Sequence, residues 1–284
     1  MTVAPAHQRS AALAPFVATL TAYELGPGLV GVHRGLPSST ISITIPESDS
    51  VEIAWPGRHG CSPKRFRAVV AGLHLDAAEL RQVGGTRGVW LRLSPLGAGA
   101  LLGIPASAVA GHVADLADVA PAMAYLPEQL AACQSWPQRR ALVEGALIAG
   151  RARHEESPGG HLRATLAALS GTSRVQEAAR LLGCSRRHLS GRISAALGVT
   201  PKEYQRLLRF EATRGRLVAG ARAGTLSLAA VAAASGFADQ AHLTREWRAM
   251  AGCTPTEWLR AEGLAWGVPK SSRLLPPSGP TIGA

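Results

Sequence analysis

Two short segments of this chain carry side chains that can hydrogen-bond to the edges of DNA bases, at spacings that fit one face of a helix. When residues 185–197 are placed on a helical wheel, Leu189 and Ile193 define the inner side and Arg187 lies opposite them. Arginine is the side chain most often used for bidentate contact with guanine. The first segment is therefore predicted to read a base through Arg187.

The second segment begins at Gln240. Its inner side is defined by Leu243 and Trp247, so Arg245 points outwards while Gln240 lies in the first turn. The sequence contains no Asn, and bidentate recognition of adenine by an amide would therefore have to come from a glutamine. Gln240 and Arg245 are the predicted base readers of this segment.

Further side chains on the two faces complete the candidate site. The residues predicted to contact bases are Arg187, Ser190, Gly191, Gln240, Thr244 and Arg245. The residues predicted to contact phosphates are Ser185, Arg186, Arg192 and Arg248. For each arginine the alternative is an ordinary solvated surface charge.

The two segments belong to an internal repeat. Residues 198–204, GVTPKEY, recur as residues 252–258, GCTPTEW. The similarity extends backwards, where Leu189 matches Leu243 and Ile193 corresponds in position to Trp247. One structural unit therefore occurs twice.

Each unit reads as a short helix, a turn at Gly183 or Gly236, and a second helix that opens at Ser185 or Asp239. Ser and Asp are good N-caps because their side-chain oxygens accept backbone N–H groups. The short helices are predicted over residues 175–182 and 228–235. This order is that of a helix-turn-helix, although a single such hairpin would favour a purely structural role.

The net charge favours DNA. The chain has 284 residues and a formal net charge of +11. Residues 161–260 alone hold 15 Lys and Arg against 6 Asp and Glu, a net charge of +9. The repeat and the positive charge thus coincide, which predicts a polyanionic partner for the C-terminal half.

The C-terminal half resembles the AraC-family DNA-binding domain. The resemblance is carried by residues 175–179, 184–189, 236–247 and 252–255. It implies two helix-turn-helix units joined by a long helix, here over residues 201–217, which insert two recognition helices into successive major-groove faces. The commoner family pattern has Arg where Gly191 stands, so weak specificity is expected in the first half-site.

Residues 1–154 are predicted to form an α+β domain with a small antiparallel sheet or barrel and helices. Residues 40–45 alternate strictly between polar and apolar. Further strands are predicted over 51–55, 66–73, 74–83 and 88–93, and helices over 123–133 and 136–152. This half more loosely resembles the sensor domain of actinobacterial AraC-like regulators, through residues 34–38, 66–74 and 93–98.

Composition shifts mark the predicted boundaries. Residues 155–160, which end in Pro-Gly-Gly, are predicted to be a linker. The all-α DNA-binding domain is placed at residues 161–263. Residues 264–284 are rich in proline without periodicity and are predicted to be a disordered tail.

An enzyme with an appended DNA-binding module is the alternative class. The DNA-repair methyltransferase that carries a related module has a zinc site of four cysteines, whereas only Cys61 and Cys133 lie in the N-terminal half here. No G-x-S-x-G, H-E-x-x-H or P-loop sequence occurs. We therefore expect no enzyme activity, no metal and no cofactor, although His33, His59, His74 and His112 could in principle converge with Cys61.

The sequence therefore predicts a bacterial, cytoplasmic transcription regulator. Its expected partner is a double-stranded DNA operator. RNA polymerase and a small-molecule effector are further candidate partners, no membrane is expected, and both a monomer and a homodimer stay open.

Overall fold

The N-terminal half of the computed structural model is built on two antiparallel sheets. The structure describes residues 2–3, 11–24, 31–47, 50–54, 64–82, 87–154 and 160–262. Within these, the six-stranded sheet has the order β1-β2-β9-β4-β7-β10 and the four-stranded sheet the order β3-β8-β5-β6. The strands are β1 Thr2–Val3, β2 Val17–Glu24, β3 Gly31–Gly35, β4 Ile41–Pro46, β5 Val51–Ala54, β6 Lys64–Phe66, β7 Val69–Ala71, β8 Ala78–Gln82, β9 Arg87–Leu93 and β10 Val113–Asp115.

Strand β4 follows the alternation predicted from the sequence. Ile41, Ile43 and Ile45 are all buried, because successive side chains of a strand point to opposite faces and every second residue here is isoleucine. β4 lies between β7 and β9 and pairs with both. The strand with the clearest pattern therefore occupies the inside of the larger sheet.

The single strand predicted over residues 66–73 is wrong. The chain bends after Phe66, so β6 pairs with β5 in the smaller sheet while β7 pairs with β4 in the larger one. Phe66 and the apolar strand β7 lie close together in the sequence, and sequence pattern alone does not show that a bend moves the chain from one sheet to the other. The strand predicted over 74–83 is confirmed in its C-terminal part as β8.

Helices cover the rest of the N-terminal half. They are α1 Pro95–Gly97, α2 Leu116–Val119, α3 Leu126–Ala131 and α4 Trp136–Arg153. A π-helical turn spans Ala98–Leu102, and 3₁₀ turns span Ala106–Val109 and Pro121–Met123. α4 begins at a capping box, in which Ser135 and Gln138 each satisfy the other's backbone N–H.

The C-terminal half is entirely helical over residues 160–262. Its helices are α5 Gly160–Gly171, α6 Val175–Leu181, α7 Arg186–Leu197, α8 Pro201–Arg222, α9 Leu228–Ala234, α10 Gln240–Ala251 and α11 Pro255–Ala261. α5 already includes Gly160, the last residue of the predicted linker. Residues 155–159 and the predicted tail lie outside the described residues.

The internal repeat is confirmed in the backbone. Gly183 and Gly236 both occupy the turn between the two helices of a unit, with φ of +63° and +71°. Glycine is favoured there because a side chain in this left-handed conformation costs energy. Each second helix ends at a glycine and is followed by Thr-Pro, where Thr200 and Thr254 form equivalent capping boxes.

Among the described residues, Trp247 is the largest fully buried side chain. Its ring lies 4.5 Å from that of Phe210 on α8 and 5.2 Å from that of Trp258 on α11, centroid to centroid. From its place directly after the turn at Gly236, Phe237 is predicted to pack against Trp247, but the ring of Phe237 meets that of His242 edge-on instead. The three-ring stack joins α10 to the two helices on either side of it.

Trp247→Ala is expected to lower the free energy of unfolding by about 3–5 kcal/mol, because it removes this stack and leaves a cavity. Thermal unfolding of the full chain, followed by circular dichroism, measures the change. Thr244→Ala, at a half-buried position outside the three-ring stack, is the control and should melt close to wild type. A Trp247→Ala protein with an unchanged melting temperature contradicts the packing described here.

Candidate DNA-binding surface

Helix α7 is fixed at its N-terminus by Ser185, whose Oγ accepts a hydrogen bond of 3.1 Å from the His188 N–H. Leu189 and Ile193 are buried, as the wheel predicts. Arg186, Arg187 and the later Arg192 are exposed. Because the Ser185 hydroxyl already accepts a hydrogen bond as N-cap, only its proton is left to reach a phosphate.

The exposed face of α7 is rotated relative to the prediction. A shallow surface depression runs along it, lined by Ser185, Arg187, His188, Gly191, Arg192 and Ala195. Ser190, predicted to contact bases, is half-buried beside this depression. His188 and Ala195 escaped the sequence prediction, although their spacing to Gly191 and Arg192, of three and four residues, is the signal that could have found them.

Gly191 leaves open space in the middle of this face. A Cβ built at Gly191 would meet no other atom within 4 Å. Glycine in a helix interior costs about 0.5–1 kcal/mol relative to alanine, and packing inside this protein does not require it. Gly191 is therefore free to let a ligand approach the helix backbone closely.

Helix α10 presents the second set of predicted readers. Asp239 caps it by accepting a 2.6 Å hydrogen bond from the His242 N–H. Gln240, Arg245 and Arg248 are exposed, whereas Thr244 is half-buried and donates to the Gln240 carbonyl at 2.9 Å. The predicted inner side of α10 is confirmed, because Leu243 and Trp247 are buried.

The long helix α8 links the two units and holds α10 directly. Arg206 on α8 pairs with Glu246 on α10, with 2.9 Å from Nε to Oε2. Arg209 lies over the Phe237 ring, 5.1 Å from its centroid. α8 is five residues longer than predicted; its 22 residues span roughly 33 Å at ~1.5 Å per residue, close to one turn of B-DNA at ~34 Å.

The metal alternative does not assemble from the described residues. The ring nitrogens of buried His74 lie 2.8 and 3.1 Å from the carbonyl oxygens of Gly72 and Leu36. Over the described ranges no three His, Cys, Asp or Glu side chains are grouped to hold a metal ion. His59 and Cys61 lie outside these ranges, and the His33 side chain is not described.

Comparison with known proteins identifies the C-terminal half. Residues 178–261 match the helix-turn-helix domain family. No curated protein matches the sequence significantly. Among solved structures, ToxT from Vibrio cholerae O395 covers 90% of this chain and 100% of its own, with 11% identity and a TM-score of 0.50.

Two further ToxT structures match similarly. Unsaturated fatty acid-bound ToxT from Vibrio cholerae strain SCE256 is 11% identical, with 89% of this chain and 97% of its own covered and a TM-score of 0.50. ToxT from strain O395 bound to (E)-4-(8-methylnaphthalen-1-yl)but-3-enoic acid is 10% identical, with 85% and 98% covered and a TM-score of 0.50. This chain therefore shares the ToxT fold.

The fold and the family match together define the class of the protein. An α+β domain precedes two helix-turn-helix units, and residues 178–261 are a helix-turn-helix domain of the AraC type. A chain with such a domain is a DNA-binding transcription regulator. In the residues that the structure describes, no helix is long and apolar enough to span a membrane.

Gly191→Ala separates DNA contact from helix stability. The added methyl group meets no protein atom, so the variant should be more stable by about 0.5–1 kcal/mol and yet bind DNA more weakly. Gly215→Ala in α8 is the matched control, because its Cβ is equally unobstructed and Gly215 lies outside the predicted contacts. Chemical unfolding and fluorescence anisotropy with a labelled duplex give the two readouts. Equal DNA affinity of both variants would remove Gly191 from the interface.

Proposed function

We propose that this regulator binds a double-stranded DNA operator by placing α7 and α10 in successive major-groove faces. The observation that carries the proposal is the pair of equivalent, capped helices with exposed arginines that are held by one rigid helix of 22 residues: α7 directly precedes α8, and α10 packs against its Arg206 and Phe210. Such a pair suits two recognition elements that enter successive major-groove faces. The protein acts in the cytoplasm, without a cofactor or a catalytic step.

Within each helix we assign different roles to the exposed side chains. Arg187 and Arg245 read bases because they lie on the outer faces of α7 and α10, and Gln240 does so from the first turn of α10. Arg192 and Arg248 position the protein on phosphates. His188 joins this surface because it lines the same depression as Arg187.

The N-terminal domain senses a small apolar carboxylic acid. Support comes from the shared fold, since ToxT structures hold an unsaturated fatty acid and a naphthalenyl butenoic acid, and both compounds combine a hydrocarbon body with a carboxylate. Binding of such a compound to the folded state would stabilise this chain by mass action.

Selection of bound duplexes from a random DNA pool tests the operator proposal. Arg245→Ala should cost about 1–3 kcal/mol on the selected operator and relax preference at one base pair, because it removes a base contact. Arg192→Ala should weaken binding to all sequences nearly equally and lower the salt dependence. If Arg245→Ala selects the same motif as wild type, Arg245 contacts a phosphate and not a base. If the wild-type protein selects no motif, the operator proposal is wrong.

A thermal shift assay tests the effector proposal. A long-chain unsaturated fatty acid should raise the melting temperature of the full chain and change its operator affinity, because the ligand binds the folded state. The matching fatty alcohol, which lacks the carboxylate, is the control. No shift with the acid, or an equal shift with the alcohol, contradicts carboxylate sensing.

A further inference from the structure

The N-terminal domain contacts the connecting helix at Glu211, in the middle of α8. Its carboxylate accepts hydrogen bonds from the Ser38 hydroxyl, at 3.1 Å, and from the Ser39 hydroxyl, and it forms an ion pair with Arg92 on β9. Arg92 is itself oriented by Thr40, with 2.9 Å from its Nε to the Thr40 Oγ1. Three side chains from the N-terminal half thus converge on one carboxylate of the DNA-binding half.

This contact is largely shielded from water. The side chains of Arg92 and Glu211 are only 14% and 17% exposed. Arg214 lies three residues after Glu211 on α8. Burial lowers the pKa of its guanidinium, and the nearby positive charge of Arg92 lowers this pKa further. Separating the two domains would break the ion pair but also return both charges to water, so the contact fixes the relative position of the two halves more than it stabilises them.

A second contact holds the C-terminal end of α10. The Arg34 guanidinium donates to the carbonyl of Ala251 at 2.6 Å, and the N–H of Ala77 donates to the carbonyl of Met250 at 3.0 Å. The last carbonyls of a helix have no partner within the helix. The N-terminal domain therefore caps the second recognition helix.

The third contact lies at the equivalent end of α7. Gly198, which follows α7 as Gly252 follows α10, packs directly on the 3₁₀ turn Ala106–Val109. A Cβ at Gly198 would overlap the Ala110 side chain and lie 3.2 Å from the Ser107 Cα. The same position of both repeats is thus held by the N-terminal domain, through different elements.

None of these contacts covers the reading faces. Arg187, Gln240 and Arg245 stay exposed while the ends of their helices are held. The N-terminal domain is therefore placed to control where the two helices stand relative to each other, not whether DNA can reach them.

We propose that Glu211 is a positioning residue, through which the N-terminal domain fixes the spacing between the two recognition helices and so the spacing of the half-sites that the protein accepts. This inference rests on the proposed operator binding. Arg92, Ser38 and Ser39 hold the middle of α8, while Arg34 holds one reader at its end. Because one domain holds the end of each reader and the middle of the helix between them, only one separation of the two readers fits the DNA.

The test uses the full chain and duplexes derived from its selected operator, in which the interval between half-sites is changed by one or two base pairs. Wild type should prefer the original interval by about tenfold or more, which corresponds to ~1.4 kcal/mol. Glu211→Ala should reduce this preference to within about threefold, because α8 is no longer held by the N-terminal domain. Fluorescence anisotropy on the duplex series measures both values.

Two more variants and one control guard against a trivial effect. Ser38→Ala combined with Ser39→Ala removes two donors but keeps the ion pair, and Arg34→Met releases the end of α10; both lie outside the DNA-binding half and should also broaden the preference. Glu144→Ala is the control, since Glu144 pairs with Arg140 within α4 at a similar exposure of 20%. It should leave the preference unchanged.

The outcomes are distinct. If Glu211→Ala folds and keeps the wild-type preference for the interval between half-sites, the proposal is wrong. If Glu211→Ala does not fold, an unchanged preference in the Ser38→Ala/Ser39→Ala and Arg34→Met variants overturns the proposal instead. Wild type that binds DNA without any preference for the interval also overturns it and leaves operator binding intact. Wild type that binds no duplex removes operator binding and this inference together.

Discussion

Helix α8 packs into the apolar core of the C-terminal half and also contacts the N-terminal domain, and the arrangement of the molecule depends on both sets of contacts. One side buries Leu207, Phe210 and Leu217 in the apolar core, where Phe210 meets Trp247 of the second recognition helix. Glu211, four residues after Leu207, lies at the edge of this face and contacts the N-terminal domain. Since a helix of this length is rigid, what is fixed along it is transmitted to both helix-turn-helix units.

The apolar core makes the two halves one body. Buried residues from Leu13 in the N-terminal half to Leu259 in α11 belong to a single cluster. Burial of apolar area is the main favourable term in folding, so a core shared across the boundary resists independent motion of the halves. Apolar packing alone does not specify one relative orientation of the two halves. The polar contacts at Glu211 and Arg34 specify it, because hydrogen bonds and ion pairs depend on direction and distance.

The arginines divide into two groups by their surroundings. Arg187, Arg245 and Arg248 are exposed, whereas Arg92 and Arg139 are paired with carboxylates in partly or fully buried places. The buried pair of Arg139 with Glu47 joins α4 to the end of β4, with 2.6 Å from Nε to Oε1. An exposed guanidinium is available to a polyanion, while a buried one must be paired to offset its desolvation.

The sequence by itself determined the local structure of the DNA-binding half. Ser185, Asp239, Gly183 and Gly236 predicted the helix starts and turns correctly, because caps and left-handed glycines act over a few residues. The inner faces marked by Leu189 and Leu243 were predictable for the same reason. The alternating isoleucines of β4 likewise predicted a strand with one buried face.

Only the tertiary structure decided which elements meet. The transfer of the chain between sheets after Phe66 and the partners of Trp247 depend on packing between segments distant in sequence. Glu211 looks in the sequence like any charged residue of a long helix, and Arg92 like a polar position of a strand. Their pairing joins residues 119 positions apart, and no local pattern encodes such a contact, because it exists only once both halves have folded and packed together.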